Sequence, residues 1–378
     1  MEDNGRKTPY YLIKCKQFEK NCLDIERSFK RNWGDNFLCG YSVKTNHHPY
    51  LIKLAQSRGW LAEVVSNEEF DYAHSLNFGN NQIICNGPVK GEMLQKAIRE
   101  EQILNLDHLQ EVFEVKYLYE QGKVSVEGIR IGLRINFDLE RICRGETMAG
   151  DKIARFGICY ENGDVKKAIS LLKECHIPIV GIHMHTSTKS RSLKVFQVLS
   201  KMVCKIVEEF DLKLSFVDIG GGFFGGKIET GKPLMGEYAK VIAEELRKKI
   251  DPSQVTLIVE PGASVIATSV DYVTRVRNIR DVRGEKIITL DGTSLHINPF
   301  MVQRKPVYDV EYQGEYQVEI QHICGCTCME HDRFDILYNA RELLLNSRLC
   351  FHDVGAYTMA FNSYFIVDPP KVYLEKEQ

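Results

Sequence analysis

Tyr41-Ser42-Val43-Lys44-Thr45-Asn46-His47-His48-Pro49 puts one lysine at the end of a short apolar run, Phe37 to Val43, before a polar turn and a helix beginning near Pro49. An amine that ends a buried strand is unfavourable unless it is paired, neutral or covalently used. Lysine is also the side chain that forms a Schiff base with an aldehyde cofactor. Taken alone, the stretch equally fits a surface lysine in a strand-to-helix loop. Its reading turns on whether strand-to-helix units recur along the chain, and with what at their ends.

They recur. Short apolar, β-branched runs at Phe37–Val43, Leu61–Val65, Gln82–Cys85, Ile103–Leu106, Gly128–Ile135, Ile179–Met184, Leu214–Ile219 and Val255–Val259 have the character of buried parallel strands. Helical patterns lie between them, among them Asn67–Leu76, Leu109–Gln121, Val165–Glu174, Leu193–Glu209 and Gly236–Lys249. Eight such units predict an α/β fold built as a (β/α)8 barrel. A doubly wound open sheet fits less well, because no phosphate loop follows the first strand.

After Ala267 the pattern changes to antiparallel strands at Asp271–Val276, Glu285–Leu290, Tyr308–Tyr312 and Tyr316–Ile323, then a helix over Phe334–Leu344 and a last segment, Val354–Val367. This predicts a second, mostly antiparallel β domain. The expected division is 30–267 for the barrel and 1–29 plus 268–378 for the β domain, with Tyr10–Lys14 as a strand of the latter.

Bulk composition excludes several classes. The chain has 378 residues, 44% hydrophobic and 26% charged, as in a soluble globular protein. A net charge of -2 gives no electrostatic case for nucleic acid or an anionic membrane. No apolar run approaches membrane-spanning length. Met1 to Thr8 is polar and unlike a secretory signal, so the twelve scattered cysteines read as reduced thiols of a cytoplasmic protein.

Chemistry in such barrels sits at the C-terminal ends of strands. Read in order, those ends are Lys44, Glu63, Asn86, Asp107, Arg134, His185, Gly220 to Gly222 and Glu260. The triple glycine of Asp218-Ile219-Gly220-Gly221-Gly222-Phe223 lets backbone N–H groups face an anion, after the strand where barrels commonly bind phosphate. Glu260 of Glu260-Pro261-Gly262 needs a buried partner, such as a protonated pyridine nitrogen or a basic side chain. His183 and His185 share one strand face, a spacing open to metal ligation, to stacking on an aromatic ring or, for His183, to a satisfied core histidine. Cys324-Gly325-Cys326-Thr327-Cys328 lacks the CxxC spacing of structural zinc sites, so a loop presenting one reactive thiol is the better reading and no metal is assigned.

This set resembles the fold-type III pyridoxal-phosphate decarboxylases, the family of ornithine, arginine and diaminopimelate decarboxylases, over nearly the whole chain and through separated motifs in family order. The resemblance implies pyridoxal 5'-phosphate as cofactor, an amino-acid substrate and a head-to-tail homodimer. Carried over, Lys44 is the Schiff-base lysine, with Glu63 and Glu69 as acids near it. Arg134 lies beside the cofactor and His185 stacks on its ring. Thr188, Gly220, Gly221, Gly222, Gly262 and Tyr357 of the Gly355-Ala356-Tyr357-Thr358 motif belong to the cofactor site, and Glu260 partners the ring nitrogen. Cys328 is the proton donor contributed by the opposite subunit.

The chain departs from the family pattern at three places. Ala263 stands where arginine usually follows Glu-Pro-Gly, so a phosphate contact is lost unless another cation such as Arg304 replaces it. Met329 stands where an acid usually holds the substrate's distal amine, with Glu330 as a candidate substitute, and Ser187 replaces a glycine. The expected function is decarboxylation of an amino acid larger or more carboxylated than ornithine. The alternatives are an amino-acid racemase of the same fold type and a decarboxylase-like regulator without activity.

Overall fold

A computed structural model describes residues 5–150, 152–302, 304–311, 313–362 and 364–375. The chain divides into two compact units, Cys22–Ser264 and Met1–Asn21 with Val265–Gln378.

Strand β1 (Tyr10–Ile13) belongs to the second unit. The first unit holds β2 (Phe37–Ser42), β3 (Leu61–Val64), β4 (Ile83–Cys85), β5 (Ile103–Leu106), β6 (Arg130–Asn136), the two-residue β7 (Ile158–Cys159), β8 (Ile179–His183), β9 (Phe216–Asp218) and β10 (Thr256–Val259). All pair in parallel, in the order β5-β4-β3-β2-β10-β9-β8-β6, and β6 returns to β5, with Leu104 opposite Ile131. The sheet is therefore a closed eight-stranded barrel without edges, with β7 appended to the end of β6.

The barrel interior is a packed core. Leu61, Ile84, Ile103, Phe216 and Ile258 form one buried cluster, with Leu38 and Val180 against it. Phe216 fits only because its neighbours lack side chains: a Cβ on Gly181 would lie 2.0 Å from its Cζ, and one on Gly132 2.9 Å away. Truncating a phenylalanine held this way costs about 3–5 kcal/mol. The filled floor leaves the C-terminal rim as the place for polar groups.

The second unit is a mostly antiparallel sheet. It contains β1, β11 (Val270–Val282), β12 (Glu285–Leu290), β13 (Tyr308–Val310), β14 (Gln313–Cys324), β15 (Arg333–Leu343), β16 (Arg348–Phe351) and β17 (Lys371–Leu374). The order is β13-β16-β11-β12-β14-β15, and β1 bridges β11 and β17. The long β11 serves three partners, β1 and β16 along its first half and β12 along its second, with a bulge in the β12 pairing between Val276 and Asn278. The expected strand Tyr308–Tyr312 is shorter here, and Tyr312 lies outside the described residues.

The expected helix over Phe334–Leu344 is wrong: Phe334 to Leu343 belong to β15, paired antiparallel to β14 with Tyr338 opposite Ile320 and Asp335 opposite Ile323. Phe-Asp-Ile-Leu-Tyr-Asn-Ala-Arg-Glu-Leu-Leu places apolar residues at both helical and alternating spacings, and the neighbouring strand decides between them. The described residues of 354–367 form turns and bends with a Phe365–Val367 bridge, and β17 follows them in the sheet. No helix among the described residues is long and apolar enough to cross a membrane.

Candidate active site

In the barrel unit, Lys44 lies in a 3-10 turn, Val43–Thr45, that continues β2. The turn is pinned by Tyr41 Oη, which donates to the Asn46 carbonyl at 2.7 Å, and Pro49 starts the following helix at a position where its missing N–H is harmless. Lys44 Nζ pairs with Glu63 Oε2. Its side chain is 37% exposed whereas that of Glu63 is 1% exposed, so the amine is reachable and its carboxylate partner is not. Burial pushes the Glu63 carboxyl up, but Lys44, with bonds from Asn86 and Ser42, outweighs it and holds the pKa below the usual range.

From Glu63 the polar contacts run across the rim. Asn86 Nδ2 donates to Glu63 Oε1 at 3.1 Å and to Glu260 Oε1 at 2.6 Å, while Asn86 Oδ1 accepts from Asn105 Nδ2 at 2.9 Å. Glu260 Oε2 is 3.9 Å from His183 Nε2. Burial, then the neighbouring Asp218 and Glu63 carboxylates, raises the Glu260 pKa strongly, and burial likewise raises Asp218 to about 7. Sequence reading missed Asp218 as a partner of Glu260, although it lies two residues before the first glycine at a buried strand end.

His183 is not a satisfied core histidine. It is buried, and neither ring nitrogen has a hydrogen-bond partner among the described residues. Burial first, then the Arg134 charge and the neighbouring His185, keeps it neutral. His185 lies nearly parallel to it, with rings 6.3 Å apart and 10° between planes, and its Nδ1 accepts the Gly221 N–H at 3.1 Å. Burial first, then Arg134 and Lys44, depresses the His185 pKa to about 3. Gly221 is required by close approach: a Cβ there would lie 2.0 Å from the Glu260 carbonyl oxygen.

Arg134 donates to Asp107 Oδ1 at 3.0 Å and lies over the Phe156 ring at 4.8 Å. Behind it lies a buried ion pair that sequence reading did not find, Lys90 with Glu111 at 2.9 Å. Glu111 also accepts the Asp107 N–H at 2.7 Å. Glu69 caps a helix: it accepts the Val65 N–H at 2.8 Å while Ser66 Oγ accepts the Glu69 N–H, and burial lifts its pKa to about 7. Thr188 Oγ1 accepts the Arg191 N–H at 3.2 Å, and Thr188 bridges Thr147. Gly262 has φ +42° and faces Thr45.

Five expected site residues belong to the other unit: Arg304, Cys328, Met329, Glu330 and Tyr357. Cys328 is exposed in the loop from β14 to β15. Asp332 organises that loop by accepting from Ser294 N and Oγ at 2.8 and 2.7 Å and from Thr327 N and Oγ1 at 3.1 and 2.7 Å. Met329 is half-buried, whereas Glu330 is 98% exposed and 3.6 Å from Arg333. Arg304 donates to the Ile297 carbonyl at 3.2 Å. Tyr357 has φ +63° in its turn.

His183, Asp218 and Glu260 each offer a ligand atom, all within 4.8 Å of one another. Two buried acids beside a neutral histidine favour a cation, either a metal or a protonated ring nitrogen. A reachable lysine on the same rim and a glycine cradle with a neutral histidine against it add what a phosphorylated aromatic aldehyde requires: an amine to bond, amides for its phosphate and an acid for its ring nitrogen. Pyridoxal phosphate therefore fits these residues.

Comparisons with known proteins agree. A family model described as pyridoxal-dependent decarboxylase, pyridoxal binding domain, matches residues 16–267. The chain is 25% identical over 388 residues to a diaminopimelate decarboxylase of Methanocaldococcus jannaschii, covering 98% of this chain and 87% of that one. It is 24% identical over 356 residues to an L-glutamyl acyl-carrier protein decarboxylase of Niallia circulans, covering 89% and 82%. The crystal structure of the M. jannaschii diaminopimelate decarboxylase shares the fold, with a TM-score of 0.87 at 23% identity over 99% of this chain and 88% of that one.

Proposed function

The chain belongs to the pyridoxal-dependent decarboxylase family, and we propose that it removes the α-carboxylate of an amino acid carrying a second carboxylate, with Lys44 bonding the cofactor aldehyde and Cys328 returning a proton. The observation that carries this reading is the run of contacts from Lys44 through Glu63 and Asn86 to Glu260, which links an amine able to bond an aldehyde with an acid able to pair with a ring nitrogen.

Bound pyridoxal phosphate supplies the electron sink for the bonding pair released when CO2 leaves. The protein's residues hold and orient. Glu260 would hold a proton on the ring nitrogen, whose positive charge favours the carboxylate over the neutral form that burial beside Asp218 favours. His185, neutral, would stack on the ring. The turn at Gly220, Gly221 and Gly222 would receive the phosphate, with the Gly222 N–H turned to it, since those of Gly220 and Gly221 bond Asp218 and His185. Arg134, Thr188 and Gly262 would lie beside the cofactor, and the family pattern adds Tyr357. Cys328 gives its thiol proton to the substrate Cα, so the Cα–carboxylate bond is exchanged for a Cα–H bond and one proton is consumed per CO2. In this reading the protein is a homodimer, 30–267 forms the cofactor barrel, and the Cys328 loop comes from the opposite subunit.

The substrate class rests on Met329. An acid at that position suits a distal amine and repels a distal carboxylate, and methionine removes the repulsion. The 98% exposed Glu330 is a poor replacement for that acid. Diaminopimelate, with a carboxylate at each end, is the first substrate to assay. A glutamyl conjugate is the second, because a relative of similar identity is named for one. The family match and the relatives' names favour decarboxylation over the racemase alternative.

The test is CO2 release by purified enzyme loaded with cofactor and offered diaminopimelate, glutamyl conjugates, lysine and ornithine separately. Release from a carboxylated substrate at least tenfold faster than from ornithine is expected. Release from ornithine or lysine alone overturns the substrate class, and racemisation without CO2 overturns the reaction.

A further inference from the structure

Between β8 and the helix Leu193–Phe210, the chain turns at Arg191 with φ +57°. Three bonds shape this turn and, through Tyr238, tie it to the loop after β9. The Arg191 N–H donates to Thr188 Oγ1, the Arg191 carbonyl accepts from Tyr238 Oη at 2.5 Å, and the same Oη accepts the Phe224 N–H at 3.3 Å. Tyr238 is fully buried, so the clamp is part of the packed core. The guanidinium then reaches the loop itself: Arg191 Nη1 donates to the Phe223 carbonyl at 3.3 Å.

Two features make this placement more than a surface contact. First, the Gly222 and Phe223 N–H groups have no hydrogen-bond partner among the described residues, whereas those of Gly220 and Gly221 are taken by Asp218 and His185. Second, no carboxylate among the described residues pairs with Arg191, so its charge is not neutralised. The same loop also meets the segment after Glu260-Pro261-Gly262, since a Cβ on Gly225 would lie 2.8 Å from Ser264 Cβ. There the adjoining residue is Ala263, which brings no charge.

We propose that Arg191 is the cation for the cofactor phosphate, reaching the loop from the β8 side and replacing the charge that Ala263 does not supply. The inference rests on the cofactor reading above. A phosphate monoester brings close to two negative charges at neutral pH into a barrel that already holds Glu63, Asp218 and Glu260. Amide dipoles alone do not balance that, and an arginine fork suits phosphate better than any other side chain.

The experiment uses full-length protein stripped of cofactor, titrated with pyridoxal phosphate and with pyridoxal and followed by absorbance. Wild-type binding of pyridoxal phosphate with a visible band is the check on the cofactor reading, and its absence overturns both that reading and this one. Arg191→Gln removes the charge while keeping a polar amide in place of the guanidinium. It is expected to raise Kd for pyridoxal phosphate at least about tenfold and Kd for pyridoxal less than about twofold, with Arg191→Lys between wild type and Gln. An unchanged Kd for pyridoxal phosphate, or an equal loss for both ligands, overturns the proposal. In the unaltered chain, phenylglyoxal should modify Arg191, with protection by pyridoxal phosphate and none by pyridoxal. Equal labelling with and without pyridoxal phosphate overturns it without recourse to any variant.

Discussion

Asn86 Nδ2 donates to Glu260 Oε1 at 2.6 Å, joining the ends of β4 and β10, which have β3 and β2 between them in the barrel. The Asn105 amide bonded to Asn86 Oδ1 fixes which way the Asn86 amide points, so its donor side must face Glu63 and Glu260. Asn86→Asp turns that donor into a fourth carboxyl beside Glu63, Asp218 and Glu260. Losing a bond to a charged group is worth about 1.5–3 kcal/mol, so kcat/KM should fall roughly 10- to 100-fold. The visible absorbance of the bound cofactor should also shift toward the form lacking a ring-nitrogen proton. Steady-state kinetics with an absorbance scan checks this, and a variant that matches wild type in both removes Asn86 from the site.

The pairing of Lys44 with Glu63 separates charge from chemistry. Lys44→Arg keeps a cation against the buried Glu63 carboxylate but cannot bond an aldehyde, whereas Lys44→Ala leaves that carboxylate unpaired. Both should lose the cofactor's visible band and all turnover. Only Lys44→Ala should also lose stability, by about 3–5 kcal/mol at most given the amine's part exposure. Thermal unfolding and absorbance together check this. Turnover by Lys44→Arg sinks the assignment of the amine.

Cys328 is exposed, and its loop is held by Asp332 rather than by the thiol. Cys328→Ala should therefore leave the fold intact and change the fate of the decarboxylated substrate, giving aldehyde by-products or slow turnover. Mass analysis of products against CO2 released is the measurement. An unchanged product spectrum assigns the proton to another donor. Asp332→Asn, which weakens bonds from Ser294 and Thr327, should lower kcat while keeping the product ratio, because it disturbs the position of the thiol and not its chemistry.

The barrel was legible because each strand is a short β-branched run between helical patterns, and strand ends such as Lys44, Glu63 and Glu260 then fall on one rim by topology alone. Residues 334–344 were not legible, because their apolar spacing suits helix and strand alike and pairing with β14 decides. Asp218 and Lys90 escaped notice for another reason. Their importance lies in burial beside a particular partner, Glu260 for one and Glu111 for the other, and those contacts bring together residues far apart in sequence. Arg191 is a third case, because only the turn that Tyr238 clamps aims it at Phe223.

In the second unit, His352 is held between two carboxylates, with Nδ1 3.1 Å from Asp271 and Nε2 3.0 Å from Asp309. Lys14 also meets Asp271, at 2.7 Å, and Cys350 Sγ is 4.0 Å from Nδ1. The bond to Asp271, then that to Cys350, raises the His352 pKa to about 11, with burial opposing. A histidine whose folded pKa is raised stabilises fully below its unfolded pKa, about 6.5, and loses that contribution as pH climbs through the folded pKa. The difference in Tm between wild type and His352→Gln should therefore be largest near pH 6 and shrink steadily toward pH 10. Near pH 6 it should amount to several degrees, at roughly 2–4 °C per kcal/mol. Taking the difference removes the lysines, tyrosines and thiols that titrate in the same window in both proteins, and using cofactor-free protein removes the cofactor's own titration. Calorimetry across that range is the check, and parallel curves for the two proteins would show that His352 carries no linked proton.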